Sequence, residues 1–366
     1  NYLLAFPISG IERFIKLFFP APKKSFEDIY IYSSEKNLGQ LMASLPDSRK
    51  NWVSGFTYEG GQFKDIKIRI RGDNPNNWIY RKKSYRIKRQ KSDIIDGVRT
   101  FNYVLPRDPS LLNTYLGYFV AKQLGILVPD VRFVELFVND ILQGLYLEIP
   151  SLDEGFLRQQ HFMPVNLYKG TPSRTDRPLY VDNDLFNNPF IWEKQATFNQ
   201  RAPRDFSDLE GLLTLVRDTQ SDRRFLRELK HKAPVGEWAK FSAYETIMQS
   251  WHNYEGNNLF LVSDPWTNSV LPIAYDTIFN DTKIKTQVDE TVQFDNAAHS
   301  LMDVYSNDVS FLTLKHAIIR DYILQGGFKD LIKHVRDVEE TLINSWLRDP
   351  SHTQFVFSNG FPFNNI

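Results

Sequence analysis

Lys64-Asp65-Ile66-Lys67-Ile68-Arg69-Ile70-Arg71 decides how this chain is read. Ile66, Ile68 and Ile70 alternate with Lys67, Arg69 and Arg71, and a period of two puts the isoleucines on one face and the cations on the other. The stretch is therefore a strand with a buried side and a basic side. A turn-rich link, Gly72-Asp73-Asn74-Pro75-Asn76-Asn77, leads to a second basic strand, Ser84–Arg89. Between Lys64 and Lys91 stand eleven Lys and Arg against Asp65 and Asp73.

That cluster stands out because the chain as a whole is neutral, with 44 Lys plus Arg and 44 Asp plus Glu in 366 residues. No global field draws it to nucleic acid or to a membrane, so electrostatic function has to be local. Guanidinium forks and ammonium groups beside exposed turn amides suit phosphoryl oxygens. No Walker-type glycine loop is present. With no cysteine, disulfides, thiolate metal sites and cysteine nucleophiles are excluded.

Outward from this pair, residues up to about 150 read mainly as strands. Asp28–Tyr32 is a short apolar run. Val131–Val138 and Leu142–Ile149 flank Asn139-Asp140 as a hairpin. One helix interrupts the series, opened by Pro109 and Ser110 and ended by Gly125. Beyond residue 205 helices dominate: Asp208–Asp218, Asp222–Lys230, Val235–Gln249, Leu312–Leu324 and Phe328–Leu347. A strand pair, Asn258–Val262 and Val270–Ala274, is set among them. Residues 170–205 and 280–308 read as long loops, including an aromatic stretch at Trp192–Phe198. The order of elements divides the chain into an N-terminal helical extension (1–24), a strand-rich part with one long helix (25–150), and a helical part carrying the strand pair (151–366). In the extension, Ile11, Phe14, Ile15 and Phe18 form an apolar stripe, expected to pack on the protein, with peripheral membrane contact as the alternative. No run is long and apolar enough to span a bilayer. The chain starts at Asn1 without Met or a signal-peptide pattern and is expected to be a trimmed piece of a longer protein.

Asn258 and Asp276 lie at the ends of the paired strands, where amide and carboxylate oxygens can share one hard cation. The ordered motifs complete the reading. Ile70-Arg71-Gly72-Asp73-Asn74 with Arg81-Lys82-Lys83-Ser84-Tyr85-Arg86, Asp108-Pro109-Ser110, and Asn139-Asp140 through Gly144-Leu145-Tyr146 come first. Leu167-Tyr168-Lys169, Asn257-Asn258 and Tyr275-Asp276 follow. In this order, over roughly residues 64–280, the chain resembles the CotH (spore coat protein H) kinase family.

The resemblance implies an α+β, bilobal protein-kinase-like fold, with a strand-rich N-terminal lobe and a helix-rich C-terminal lobe. It implies binding of ATP with Mg2+ or Mn2+, and phosphorylation of a protein substrate outside the cytoplasm, in the periplasm or at the cell surface, with a polysaccharide as a further partner. Lys82 or Lys83 takes the role of the lysine on the nucleotide phosphates, with Arg71 beside it and Glu148 as its acidic partner. Asp276 takes the metal, with Asn258 or Asn257. Three departures stand against the pattern. The family's Glu falls on Pro150, with Glu148 two residues earlier on the same strand face to serve in its place. Ile278 replaces the family's second metal Asp, with Asp281 the nearest carboxylate. The catalytic Asp expected before Asn257-Asn258 is missing, leaving His252 and Glu255 as candidates to orient the acceptor hydroxyl. The resemblance thus leaves two outcomes, a live kinase or a pseudokinase that binds a partner protein or polysaccharide without phosphoryl transfer; a plain carbohydrate-binding protein is a third.

Overall fold

The computed structural model describes residues 26–43, 45–72, 75–79, 81–106, 112–170, 184–198, 203–250, 258–277 and 299–350. They form two compact units that interleave along the chain. The first takes its residues from 1–112, 131–151 and 333–366, and the second from 113–130 and 152–332.

Seven strands of the first unit close into a barrel: β1 (Glu27–Tyr32), β2 (Val53–Glu59), β3 (Gln62–Ile70), β4 (Tyr85–Arg89), β5 (Thr100–Val104), β6 (Arg132–Val138) and β7 (Ile141–Pro150). Their order round the barrel is β1-β2-β3-β4-β5-β7-β6. Neighbours are antiparallel except at the seam, where β1 runs parallel to β6 with Ile29 opposite Leu136. The alternation predicted for β3 holds: Ile66, Ile68 and Ile70 are buried, and Ile68 meets Val53 on one side and Ile87 on the other. Ile29, Ile31, Tyr85, Tyr103, Val134 and Tyr146 fill the same interior. Helix α1 (Glu35–Ala43) adds Leu41 to that core.

The second unit is built on a four-stranded antiparallel sheet in the order β11-β10-β8-β9, from β8 (Asn166–Gly170), β9 (Trp192–Ala196), β10 (Phe260–Asp264) and β11 (Ser269–Ile273). Its helices are α2 (Asn113–Gln123), α3 (Glu154–Gln159), α4 (Ser207–Ser221), α5 (Leu226–Lys232), α6 (Val235–Met248), α7 (Ser300–Ser306) and α8 (Val309–Leu324). Helix α9 (Gly327–Arg348) follows, and its residues from 333 onward belong with the barrel. Every residue of β10 is buried, and its apolar start, Phe260-Leu261-Val262, runs without alternation.

This architecture corrects the expected α+β, bilobal protein-kinase-like fold. Pairing β1 with β6 closes the strand-rich part into a barrel without free edges, and the helix-rich part has a sheet of its own. Neither do the two units follow the chain order, since 113–130 pack in the second and residues from 333 onward in the first. Two predicted loops hold structure as well: Trp192–Phe198 contains β9, and the end of 280–308 contains α7. The N-terminal stripe and the start of the long helix at Pro109 and Ser110 lie outside the described residues.

Candidate functional site

Asn258 and Asp276 meet. β10 and β11 pair with Phe260 opposite Ile273, so the residues just outside that end of the ladder are carried to the same edge. There the Asn258 Nδ2 amide donates to Asp276 Oδ2 at 3.0 Å. Both residues are left-handed, φ 60° for Asn258 and 51° for Asp276, a conformation that Asn and Asp adopt more readily than other side chains.

The turn under Asp276 is held from below. Its backbone N–H donates to the Tyr118 hydroxyl of α2 at 3.2 Å. Thr277 carbonyl oxygen accepts from the Thr114 hydroxyl at 3.2 Å, and the Thr277 and Tyr244 hydroxyls bond to each other. Ala274 N–H donates to Leu127 carbonyl oxygen at 3.0 Å. Gly117 is what lets α2 come so close, because a Cβ there would lie 2.1 Å from Thr277 Oγ1. Burial pushes the Tyr118 hydroxyl well above the ordinary tyrosine range, so it stays a neutral hydrogen-bonding group. The hydroxyls of Tyr118, Thr114 and Tyr244 and a backbone turn therefore fix where the carboxylate stands.

The donor set is oxygen-rich and hard, suited to Mg2+ or Mn2+ rather than to a thiolate-seeking metal. It is also small. Among the described residues no three His, Asp or Glu side chains gather as a self-sufficient metal cage. A cation here needs oxygens from its ligand or from water, which is how Mg2+ is commonly held.

The other predicted residues stand in the barrel unit. Lys82 is buried, only 2% exposed, and ion-paired with Asp349. Its Nζ also donates to Leu145 carbonyl oxygen at 2.7 Å and lies 4.6 Å from the centre of the Tyr146 ring. Asp349 Oδ2 takes the Leu145 N–H at 2.9 Å. Gly144, at φ 99°, leaves the room, since a Cβ would lie 2.2 Å from the Asp349 carboxyl. Burial pushes the Lys82 ammonium below the usual lysine range, and Asp349 opposes that shift. Lys83 is half-buried, which lowers its pKa, and its carbonyl oxygen accepts from Tyr146 OH at 2.8 Å. Glu148 pairs with Arg132 Nε at 2.7 Å rather than with a lysine, and stands opposite Tyr103 in the ladder. Burial first, then Glu148, push the Tyr103 hydroxyl up. Arg71 donates its backbone N–H to Ser84 carbonyl oxygen at 2.9 Å. Its side-chain Nε is buried with no hydrogen-bond partner among the described residues.

His252, Glu255, Asn257, Ile278 and Asp281 lie outside the described residues. The sequence reading missed Asp349, which follows the last helix, and the roles of Tyr118 and Thr277. The one cue for Tyr118 is Gly117 beside it, a glycine inside a helix, which marks close packing.

Comparison with known proteins agrees with the ordered motifs. The family model described as CotH kinase protein matches residues 68–357, well over half of the chain. The chain belongs to the CotH family. It is also 32% identical over 97 residues to the inner spore coat protein H of Bacillus subtilis (strain 168). That match spans about a quarter of each protein, 26% of this chain and 26% of the relative.

Proposed function

We propose that this chain binds ATP with a divalent cation, Mg2+ or Mn2+, and acts as a CotH-type protein kinase. The observation that carries the reading is the Asn258–Asp276 pair, two oxygen-bearing side chains set at 3.0 Å on left-handed turn residues. They are the proposed cation ligands. The bound cation would neutralise charge on the phosphates. Arg71 supports an anion-binding role, because its buried Nε has no partner among the described residues and a phosphate oxygen would supply one. Lys83 is proposed for such contact ahead of Lys82, whose ammonium is ion-paired with Asp349. His252 and Glu255 are the groups proposed to orient an acceptor hydroxyl. The relative is by name a spore-coat protein, and on that basis we place this chain's substrate, a protein, outside the cytoplasm.

The Lys82–Asp349 pair favours a second reading, a pseudokinase that binds a partner protein or polysaccharide without transfer, because it withdraws a basic-strand lysine from any ligand.

Calorimetric titration with ATP, with and without Mg2+ or Mn2+, tests the proposal. Metal-dependent binding that Asp276→Ala weakens about tenfold or more supports it, since a charged ligand contributes roughly 1.5–3 kcal/mol. Unchanged affinity in that variant overturns the cation site. Labelled ATP then separates the readings: transfer to protein supports the kinase, and binding without transfer supports the second.

A further inference from the structure

β3 and β4 carry charge on both faces, and the lysines of the two faces differ in how their charge is balanced. On the inward-facing positions it is neutralised. Lys64 pairs with Asp93 at 3.0 Å, and Arg89 is held between Glu59 and Asp93. On the outer wall, Lys67 stands directly opposite Lys88, and Arg69 directly opposite Arg86. Like charges facing each other across an antiparallel pair are unfavourable. Lys67 and Lys88 form no salt bridge among the described residues.

The two guanidinium groups are also pre-oriented. Arg69 lies over the Trp52 ring, 4.8 Å from its centre. Arg86 Nε donates to Asn102 Oδ1 at 2.6 Å, and Asn102 is itself fixed through Nδ2 to Ile149 carbonyl oxygen and Ser151 Oγ, each at 3.1 Å. A planar fork held in place loses less entropy when it takes up a carboxylate. Further along the same wall the chemistry turns apolar. Phe63 is 64% exposed and Tyr58 42% exposed, with their rings 5.0 Å apart.

We propose that this outer wall of β2, β3 and β4 docks an acidic peptide segment of a partner protein. Its carboxylates meet Lys67, Arg69, Arg86 and Lys88, and a neighbouring apolar side chain packs on Phe63 and Tyr58. Size and charge select this occupant. From Lys67 to Arg69 a strand rises about 7 Å, and adjacent strands lie about 5 Å apart, so the patch matches two or three carboxylates. Asp65 borders it on the same strand, and the chain's net charge is +0, so there is no broad basic field of the kind a nucleic acid or an anionic membrane surface demands. A closed barrel offers no free edge here, which leaves recognition to side chains rather than to strand addition. None of the residues proposed for ATP takes part.

The test uses the whole chain and a fluorescein-labelled peptide with three Glu followed by Phe, read by anisotropy. A peptide with Gln for Glu, vesicles of phosphatidylglycerol and single-stranded DNA serve as competitors. Lys67→Glu/Lys88→Glu is expected to weaken peptide binding about tenfold or more, the range for losing charged hydrogen bonds. Phe63→Ser is expected to weaken it less, and ATP titration of both variants to match the parent. Lys67→Glu alone, which places opposite charges across the ladder, is expected to raise the melting temperature while lowering peptide affinity, so lost binding is not lost folding. Equal affinity for the Gln peptide, undiminished binding by the double variant, or tighter binding of vesicles or DNA each overturns the proposal.

Discussion

The barrel unit and the sheet unit bury their polar groups by different chemistry. Inside the barrel unit, charge meets opposite charge: Lys82 with Asp349, Arg89 with Glu59 and Asp93, and Glu135 with Arg348 and Ser345. In the sheet unit, three carboxylates accept from neutral donors. Asp208 accepts from Asn166 and the Tyr168 hydroxyl, Asp184 from Ser300, and Asp276 from Asn258. A carboxylate bound by an ammonium already has its counter-charge. One bound by an amide or a hydroxyl keeps its negative charge, and so remains attractive to a cation. The candidate cation site lies in the unit where these three carboxylates accept from amides and hydroxyls.

That contrast is broken most directly at Asp349. Asp349→Ala leaves Lys82 buried without its counter-charge, a loss expected to cost about 3–5 kcal/mol in denaturant unfolding. The double change Lys82→Met/Asp349→Leu is expected to recover most of it. If Asp349→Ala is neutral, the opposite-charge account of the barrel is wrong.

The next effect belongs to the sheet unit. His299 caps α7 by accepting from Met302 N–H at 3.3 Å, and its ring packs 4.4 Å from Phe186. Burial pushes its pKa down to about 4, against the opposing pull of Asp184. Unfolded, it binds a proton near 6.5, so between those values the unfolded chain holds more protons than the folded one. Its contribution is complete above pH 6.5 and is lost as pH falls towards 4, by about 3 kcal/mol. Melting curves of His299→Gln should lack that part of the acid slope; an identical slope in parent and variant sinks the assignment.

Gly117→Ala sharpens the comparison at the site itself. The added Cβ meets Thr277, and overpacking of this kind costs about 1–3 kcal/mol. Because Thr277 adjoins Asp276, metal-dependent ATP affinity should fall in step with stability. Affinity that stays intact while the protein is destabilised would separate the turn from the function.

Smallest of all is the exposed pair Lys122–Asp130, with both side chains more than two-thirds exposed. Asp130→Ala is expected to change stability by less than about 0.5 kcal/mol, and a larger loss would show that exposed pairs here matter beyond the usual range.

What the sequence made legible follows from the same physics. β3 was readable because one side of it faces the barrel interior and the resulting alternation is a local signal, and the β6–β7 hairpin because two apolar runs flank the turn residues Asn139-Asp140. β5 was not, because it is only five residues long and all of them are buried, Thr100 and Asn102 included. β8 and β9 escaped for a related reason: they belong to a sheet whose order comes from pairing with distant β10. Closure of the barrel was invisible as well, since it rests on β1 meeting β6, a hundred residues on. At the site, Asn258 and Asp276 were legible as the two ends of a hairpin. The partner of Lys82 was not, because nothing near Asp349 in the sequence points back to residue 82.

That distance bears on how the protein comes to be made. Glu135 meets Ser345 across 210 residues, and Lys82 meets Asp349 across 267. Contacts so far apart impose a large loop closure before they return any energy, which slows folding. At roughly 5–20 residues per second, a ribosome needs on the order of ten seconds to a minute to travel from Lys82 to Asp349. Through that interval Lys82 has been made and its counter-charge has not, so burial of that ammonium as an ion pair waits on the segment that carries Asp349.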